Sequence, residues 1–292
     1  MLLGISQQRV FRPRTLAEWQ ERCALRVAAA AGAGATLLVF PEYGSLELSA
    51  LQPRGLRFDL GRSLAALQEW REDFLGNFRQ LADSHAVTIL APSFPWRGDD
   101  GRYFNRAFLL RPGQPPAWQD KRTMTRFEAE SWDISAADTL AVFVVDQVRV
   151  GVQICYDAEF PQASRQLYEA GVELLLVPSC TDGWAGYHRV RTGCRARALE
   201  NHLLVAQAPL TGRAAWSPAI DVSVGRAALY APSDRGFPAS GRVARCADRD
   251  SEWLLAEADF GALRALRADP AVFNPRDWQQ QTRPGAGPAR LF

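Results

Sequence analysis

The chain has 292 residues, of which 47% are apolar and 23% are charged, and its formal net charge is +2. These values are typical of a globular protein with a sizeable core, and they give no electrostatic reason to expect a nucleic-acid or membrane partner. No apolar run reaches the ~18 residues of a transmembrane helix, and the N-terminus does not resemble a signal peptide. Five scattered cysteines without a CxxC pair indicate reduced thiols, so we expect a cytoplasmic protein.

The first half of the sequence alternates apolar strands with amphipathic helices. Thr15 and Glu18 have the spacing of a capping box and predict a helix that ends near Gly32. Apolar residues at helical spacing predict a long helix over 63–84. The predicted strands are 2–6, 35–40, 87–94, 103–110 and 117–121, the fourth of which pairs with its neighbour as a hairpin.

The second half continues this alternation. A hairpin (139–145 and 148–154) is followed by helices over 162–170, 186–201 and 260–268 and by strands over 173–178, 203–209, 222–231, 242–246 and 253–259. Many strands are apolar without alternation, which favours a layered α/β fold whose mixed sheets are covered by helices. We predict one domain over 1–270 and an irregular tail over 271–292 that packs along the surface or on a partner subunit.

Three reactive side chains stand at or just beyond the ends of predicted strands: Glu42, Lys121 and Cys155. Strand ends at one edge of a layered α/β fold converge on a cleft. There the carboxylate can take the thiol proton, and the ammonium can stabilise the thiolate and an oxyanion. Singly, each residue has an ordinary explanation, since cysteines are often buried and charged side chains are usually exposed. The combination of the three favours a covalent catalytic site.

Four spaced motifs resemble those of the nitrilase superfamily of carbon–nitrogen hydrolases. They are FPEYG around Glu42, DKRTMTRFEAE around Lys121, VGVQICYDAEFPQASRQL around Cys155, and RARALEN in the later helix. The resemblance runs from the first strand to the helix at Phe260. It implies a four-layer α-β-β-α sandwich of two mixed sheets and a homodimer or higher homo-oligomer, and it implies no cofactor or metal.

The resemblance also implies roles for individual residues. Glu42 matches the general base, Lys121 the oxyanion-stabilising lysine and Cys155 the nucleophile, with the backbone N–H of Tyr156 as a second oxyanion donor. A second glutamate that positions the substrate nitrogen or the attacking water is expected at Glu128, with Glu130 as the alternative, because the spacing in TRFEAES is not the usual one.

Other polar residues on the later loop and helix receive weaker assignments. On the loop after the strand 173–178, Cys180, Asp182 and Trp184 are candidates for lining the substrate pocket, and Cys180 is expected to be a small wall residue rather than a second nucleophile. The signature residues of RARALEN are interpreted as scaffold, since buried charges must be paired. The three histidines lack metal-ligand spacing, and no glycine-rich phosphate loop precedes a helix.

The leading hypothesis is a hydrolase that cleaves a non-peptide C–N bond of a small-molecule amide through a cysteine thioester. A nitrilase that forms a thioimidate would use the same residues. A third possibility is a catalytically silent binding or assembly module on the same fold, which the presence of all three catalytic positions disfavours. A Cys–His glutamine amidotransferase ranks last, because Ile154 and Tyr156 flank Cys155 where small residues are expected.

Overall fold

The computed structural model describes residues 1–248 and 250–282, without the side chains of residues 281 and 282. Its strands are Leu2–Ser6 (β1), Leu37–Val39 (β2), Thr88–Leu90 (β3), Phe94–Arg97 (β4), Tyr103–Leu110 (β5), Ala117–Asp120 (β6), Val142–Val145 (β7), Val148–Val152 (β8), Leu174–Ser179 (β9), Leu204–Pro209 (β10), Gly212–Arg213 (β11), Val222–Ser223 (β12), Ala228–Tyr230 (β13), Arg242–Arg245 (β14) and Trp253–Glu257 (β15). Its α-helices are Leu16–Gly32 (α1), Arg54–Arg57 (α2), Leu60–Leu67 (α3), Arg71–His85 (α4), Arg126–Glu130 (α5), Pro161–Glu169 (α6), Trp184–Asn201 (α7), Phe260–Ala268 (α8) and Asn274–Asp277 (α9). Short 3₁₀ helices lie at Gly44–Leu51, Gln68–Trp70, Cys155–Glu159 and Trp278–Thr282.

Two mixed sheets form the centre of the molecule. The first has seven strands in the order β15-β1-β2-β3-β5-β4, with β6 paired to β5 at one edge, and the second has six in the order β14-β13-β10-β9-β8-β7. Within them β1, β2 and β3 are parallel, as are β8, β9 and β10, and the outer pairs are antiparallel. This arrangement confirms the prediction of mixed sheets.

The alternation of side chains along β2 shows how the layers stack. Leu37 and Val39 point into the apolar core between the two sheets, whereas Leu38 points to the opposite face and packs in the cluster formed with α1 and α4. On the outside of the second sheet, Gly151 in β8 lets α6 approach closely, because a Cβ there would lie 2.8 Å from Leu167. The layers are therefore helices, sheet, sheet and helices, the predicted four-layer α-β-β-α sandwich.

Three predicted elements are interrupted, and in each case the hydrogen-bonding capacity of a residue at the break explains it. The helix predicted over 63–84 is divided at Gln68, whose side chain donates to Pro95 O and accepts from Arg97 N and so serves β4. The strand predicted over 87–94 is split into β3 and β4 around Pro92, which has no N–H for the ladder. The strand predicted over 222–231 is interrupted where Val224 bonds to the loop at Thr181.

Both ends of the chain add detail to the prediction. Thr15 caps α1 by accepting from Glu18 N, as predicted, but the Glu18 carboxylate accepts from Arg14 N rather than completing the box with Thr15. After Phe273 the chain forms α9 and a 3₁₀ helix instead of an irregular segment, and Arg165 of α6 donates to Pro275 O. Residues 283–292 of the predicted tail lie outside the described residues, so its packing on a partner stays a prediction.

Candidate active site

Cys155 follows β8 in a strained turn and is the first residue of a 3₁₀ helix. Its φ is +51°, a left-handed conformation that costs energy for a residue other than glycine. The side chain is 4% exposed and reaches the floor of a cleft, where Sγ donates to Cys180 O at 3.7 Å. The next residue, Tyr156, lies in the first turn of the 3₁₀ helix, whose first amides have no partner within the helix.

Glu42 lies beside this thiol, three residues beyond β2 and 1% exposed. Its Oε1 accepts from Lys121 Nζ at 2.8 Å and from Asn105 Nδ2 at 2.9 Å. Its Oε2 accepts from the backbone N–H of Cys180 at 2.8 Å. Because a carboxylate oxygen has two lone pairs, Oε1 is fully used and Oε2 keeps one acceptor site.

Lys121 follows β6 and is held between two carboxylates. Its Nζ donates to Glu42 at 2.8 Å and to Glu128 Oε2 at 2.6 Å, with all three side chains nearly inaccessible to solvent. An ammonium group has three N–H donors, so one remains for another acceptor.

Glu128 is saturated with hydrogen bonds. Its Oε1 accepts from Tyr43 Oη at 2.6 Å and from Asn105 at 3.2 Å, and its Oε2 accepts from Lys121 and from the N–H and hydroxyl of Thr125. No lone pair is left to receive a further proton. Glu130, the alternative position, lies on the surface, where it pairs with Arg126.

The environment shifts the pKa values of these groups in different directions. Burial raises the pKa of Glu42, and Glu128 adds to this while Lys121 opposes it. Burial also acts on Glu128, but the ammonium of Lys121 and the hydrogen bonds outweigh it and hold the pKa of Glu128 below its ordinary value. Burial and the charge of Glu42 raise the pKa of the Cys155 thiol well above its ordinary value, so the resting sulfur is protonated at neutral pH.

A cleft of about 390 Å³ opens above Cys155. Glu42, Lys121 and Glu128 lie at its floor, and Tyr156, Cys180 and Asp182 are among its walls. Burial raises the pKa of Cys180 to about 12, as expected for an unreactive wall residue. Trp184 does not line this cleft; it is 43% exposed and borders a neighbouring depression with Arg9 and Asp250.

Sequence reasoning missed three residues that organise the site. Asn105 bridges Glu42 and Glu128, and Tyr43 donates to Glu128. The buried Asp157 carboxylate accepts hydrogen bonds from the backbone N–H of Ile154, directly before Cys155, and from those of Arg122 and Thr123, directly after Lys121. For Tyr43 and Asp157 the signal was their adjacency to Glu42 and Cys155, whereas Asn105 lies within a strand and gave none.

The RARALEN signature, which was predicted to be scaffold, contacts the 3₁₀ helix that begins with Cys155. Arg197 of α7 is 4% exposed, pairs with Glu200 at 2.9 Å and donates to Ala158 O in the 3₁₀ helix that begins with Cys155. Gly193 allows this close approach, because a Cβ there would lie 2.5 Å from Ala158 O. α7 therefore supports the turn that carries Cys155.

The sequence and the fold match a known family. Residues 3–268 match the model of the carbon-nitrogen hydrolase family, and the chain belongs to that family. A carbon-nitrogen hydrolase from Helicobacter pylori G27 has the same fold, with a TM-score of 0.74 at 18% identity over 98% of this chain and 95% of that one. The nitrilase superfamily predicted from the motifs is thereby confirmed.

Two curated relatives indicate the kind of chemistry found among similar proteins. The chain is 30% identical over 249 residues to a probable hydrolase, YhcX, of Bacillus subtilis, and the matched region covers 85% of this chain and 48% of YhcX. It is 32% identical over 170 residues to an (R)-stereoselective amidase of a Pseudomonas species, which covers 58% of this chain and 57% of the amidase. The chain thus spans about half the length of each.

Two further properties bear on partners and ions. Within the described residues, no helix is both long and apolar enough to cross a membrane. In the same part of the chain, no group of three or more His, Cys, Asp or Glu side chains is arranged to hold a metal ion.

Proposed function

We propose that the protein hydrolyses a small-molecule amide through a thioester on Cys155. The observation that carries this proposal is the buried Glu42–Lys121–Glu128 cluster in contact with the thiol at the floor of an open cleft. Membership of the carbon-nitrogen hydrolase family supports it, and so does the similarity to an amidase.

In the first step, Glu42 takes the thiol proton and Sγ attacks the carbonyl carbon. The acceptor is Oε2, since Oε1 is occupied by Asn105 and Lys121. A C–S bond forms as the carbonyl π electrons move to oxygen. The third N–H of Lys121 and the backbone N–H of Tyr156 are the proposed donors to this oxyanion.

In the second step, the tetrahedral intermediate collapses and the C–N bond breaks. Glu42 returns its proton to the departing nitrogen, which leaves as ammonia or an amine. Glu42 then takes a proton from water, which attacks the thioester; the C–S bond breaks, the carboxylic acid leaves, and the thiol recovers its proton. The raised pKa of Glu42 suits this role, because a stronger base accepts the proton more readily.

Glu128 has a different proposed role from that of Glu42. Its lone pairs are all used, and the pKa of its carboxyl is held low by the Lys121 ammonium and the hydrogen bonds that outweigh burial. It would therefore remain ionised throughout turnover, fix the position of Lys121 and keep that ammonium charged. Asp182 is proposed to influence substrate choice from the wall of the cleft.

The test is ammonia or amine release from a panel of small amides, ω-amides, carbamoyl compounds and nitriles, with intact-protein mass spectrometry of a rapidly quenched reaction. We expect turnover of at least one amide and an acyl adduct that maps to Cys155. The Cys155→Ala variant should form no adduct and should lose turnover. An amidase activity that survives this substitution would refute the mechanism, and turnover of nitriles alone would favour the thioimidate alternative.

A protein that binds panel compounds without turning them over would instead be a silent binding module. Against that alternative stands the set of acid–base groups at Cys155, because buried groups with raised pKa values in a cleft cost stability and are typical of catalytic sites.

We further propose that the protein acts as a homodimer in the cytoplasm, with one domain over 1–270. All five cysteines are free thiols, as suits a reducing compartment. The dimer is what the resemblance to the nitrilase superfamily implies. Light scattering of the full chain and of a chain truncated after residue 270 tests the dimer, and a monomeric full-length protein would refute it.

A further inference from the structure

The candidate site is assembled from both sheets. Glu42 and Lys121 follow β2 and β6 of the seven-stranded sheet, whereas Cys155 and Cys180 follow β8 and β9 of the six-stranded sheet. Because Lys121 and Cys155 follow strands of different sheets, the hydrogen bonds within one sheet cannot fix the distance from Lys121 Nζ to Cys155 Sγ. Bonds that cross between the two groups of loops must do so.

The chain after Lys121 leaves the hydrogen-bond ladder of its sheet. It leaves β6, which lies at an edge of its sheet and pairs only with β5 among the described strands. Lys121 itself is anchored by its N–H, which donates to Asn105 O at 2.9 Å, and by its carbonyl, which accepts from Ala137 N at 3.1 Å, but the following residues have left the ladder. Edge segments of this kind open more easily than central strands.

Asp157 provides a bond from the cysteine turn to this segment. Its Oδ1 accepts from Thr123 N at 2.7 Å and from Arg122 N at 3.2 Å, directly after Lys121. Its Oδ2 accepts from Ile154 N at 3.1 Å, directly before Cys155. The side chain is 4% exposed, so water does not compete for these bonds.

We propose that Asp157 is a positioning residue that holds the lysine segment against the nucleophile turn, and thereby sets the position of Lys121 relative to the sulfur of Cys155. One carboxylate fixes the residue before the nucleophile and the two residues after the lysine. It also supports the left-handed backbone at Cys155, because the N–H of Ile154 would otherwise be a buried donor without a partner.

A carboxylate suits this task better than any neutral side chain of the same size. It presents only acceptors, whereas an asparagine in its place would turn an NH₂ group toward one of the backbone donors. The lysine segment or the cysteine turn would then move. A displacement of about 1 Å in a catalytic group can lower the rate by roughly 10²-fold.

This inference rests on the proposed function, and the experiment compares Asp157→Asn and Asp157→Ser with Glu173→Gln. Glu173 is a buried carboxylate at the opposite end of β9, paired with Arg264, so its variant controls for lost stability alone. We expect both Asp157 variants to lose roughly 10²-fold in kcat with KM within about threefold. The control should keep its kcat per folded molecule. Wild-type kcat in a folded Asp157 variant would overturn the proposal.

A second measurement needs no substrate and separates positioning from other roles. Alkylation of Cys155 by iodoacetamide reports how well Lys121 supports the thiolate. If Asp157 positions Lys121, both variants react more slowly than wild type. If Asp157 acted only as a nearby negative charge, its removal would speed alkylation, and a purely structural role would leave the rate per folded molecule unchanged; either outcome refutes the proposal.

The remaining controls keep the inference testable when a variant folds poorly or the enzyme hypothesis fails. In the wild-type protein, hydrogen exchange at the amides of Arg122 and Thr123 should be slow, and rapid exchange would show that the bond to Asp157 does not restrain them. Loss of activity in Cys155→Ala with full activity in Asp157→Asn would reject the positioning role and leave the proposed function intact. Absence of any turnover by the wild type, with slowed alkylation in the Asp157 variants, would reject only the function.

Discussion

Replacement of Lys121 by methionine should cost both activity and stability, because it leaves two buried carboxylates without their shared cation. Lys121 Nζ lies 2.8 Å from Glu42 and 2.6 Å from Glu128, and none of the three side chains is more than 2% exposed. Removing one partner of such a buried ion pair costs about 3–5 kcal/mol. For a domain of this size, each kcal/mol shifts Tm by about 2–4 °C, so we expect a fall of about 6–20 °C.

The loss should depend on pH with a definite sign. Without the ammonium, the pKa values of Glu42 and Glu128 in the folded variant rise above those in the unfolded chain, since Lys121, a main group that opposed burial and mutual repulsion, is gone. The folded variant then binds protons at higher pH than the unfolded one does. Its stability deficit is complete above the folded pKa and shrinks as the pH falls through it.

Thermal unfolding followed at about pH 7.5 and about pH 5.5 measures both effects. The matched control is Arg9→Met, which breaks the exposed pair with Asp250 and should shift Tm by no more than about 2 °C. The double variant Lys121→Met/Glu42→Gln removes one of the two charges and should recover part of the loss. A Tm for Lys121→Met within about 2 °C of wild type at both pH values would contradict the reasoning.

Three further predictions concern the groups around Cys155. Glu42→Gln removes the proposed base and should lower kcat/KM by about 10²–10⁴-fold. In the wild type, burial raises the pKa of Glu42, so the acid limb of the pH–rate profile should lie above the ordinary carboxyl range. Activity should fall as the pH drops through this limb. Tyr43→Phe removes the 2.6 Å hydrogen bond to Glu128, a bond to a charged group worth about 1.5–3 kcal/mol, and a Tm equal to that of wild type would argue against this bond. Gly193→Ala should push the nucleophile turn through the 2.5 Å contact and lower kcat and Tm together, whereas Gly76→Ala, with open space around it, should stabilise by about 0.5–1 kcal/mol.

The sequence predicted those features that depend on local pattern. Glu42, Lys121 and Cys155 each stand at or just beyond the end of a predicted strand, so their convergence on a cleft could be foreseen, although the structure takes them from two sheets. The order of the motifs then indicated a family, and the fold of that family predicted the four-layer architecture. Capping by Thr15 was readable because it involves residues three apart.

Features that depend on contacts between distant segments could not be foreseen. Asn105 lies inside β5, and its amide donates to Glu42 and Glu128, which are 63 and 23 residues away along the chain. The break of the long helix at Gln68 serves a strand almost thirty residues later. Trp184 was placed in the cleft by its loop, but α7 begins there and its side chain turns toward the neighbouring depression.

The charge balance of the cluster explains why a lysine stands between two glutamates. Two carboxylates and one ammonium leave one net negative charge beside a neutral thiol, which is consistent with the raised pKa of Glu42 and of Cys155. In the proposed mechanism the thiol proton moves to Glu42, so that this charge moves to sulfur without changing in total, and Lys121 keeps Glu128 as its partner. The ammonium can then turn toward the charge that develops on sulfur and on the substrate oxygen, at no cost of a new buried ion. In the proposed mechanism, Glu128 therefore keeps its negative charge throughout. With every lone pair bonded, it holds the Lys121 ammonium in place while Glu42 gains and loses a proton.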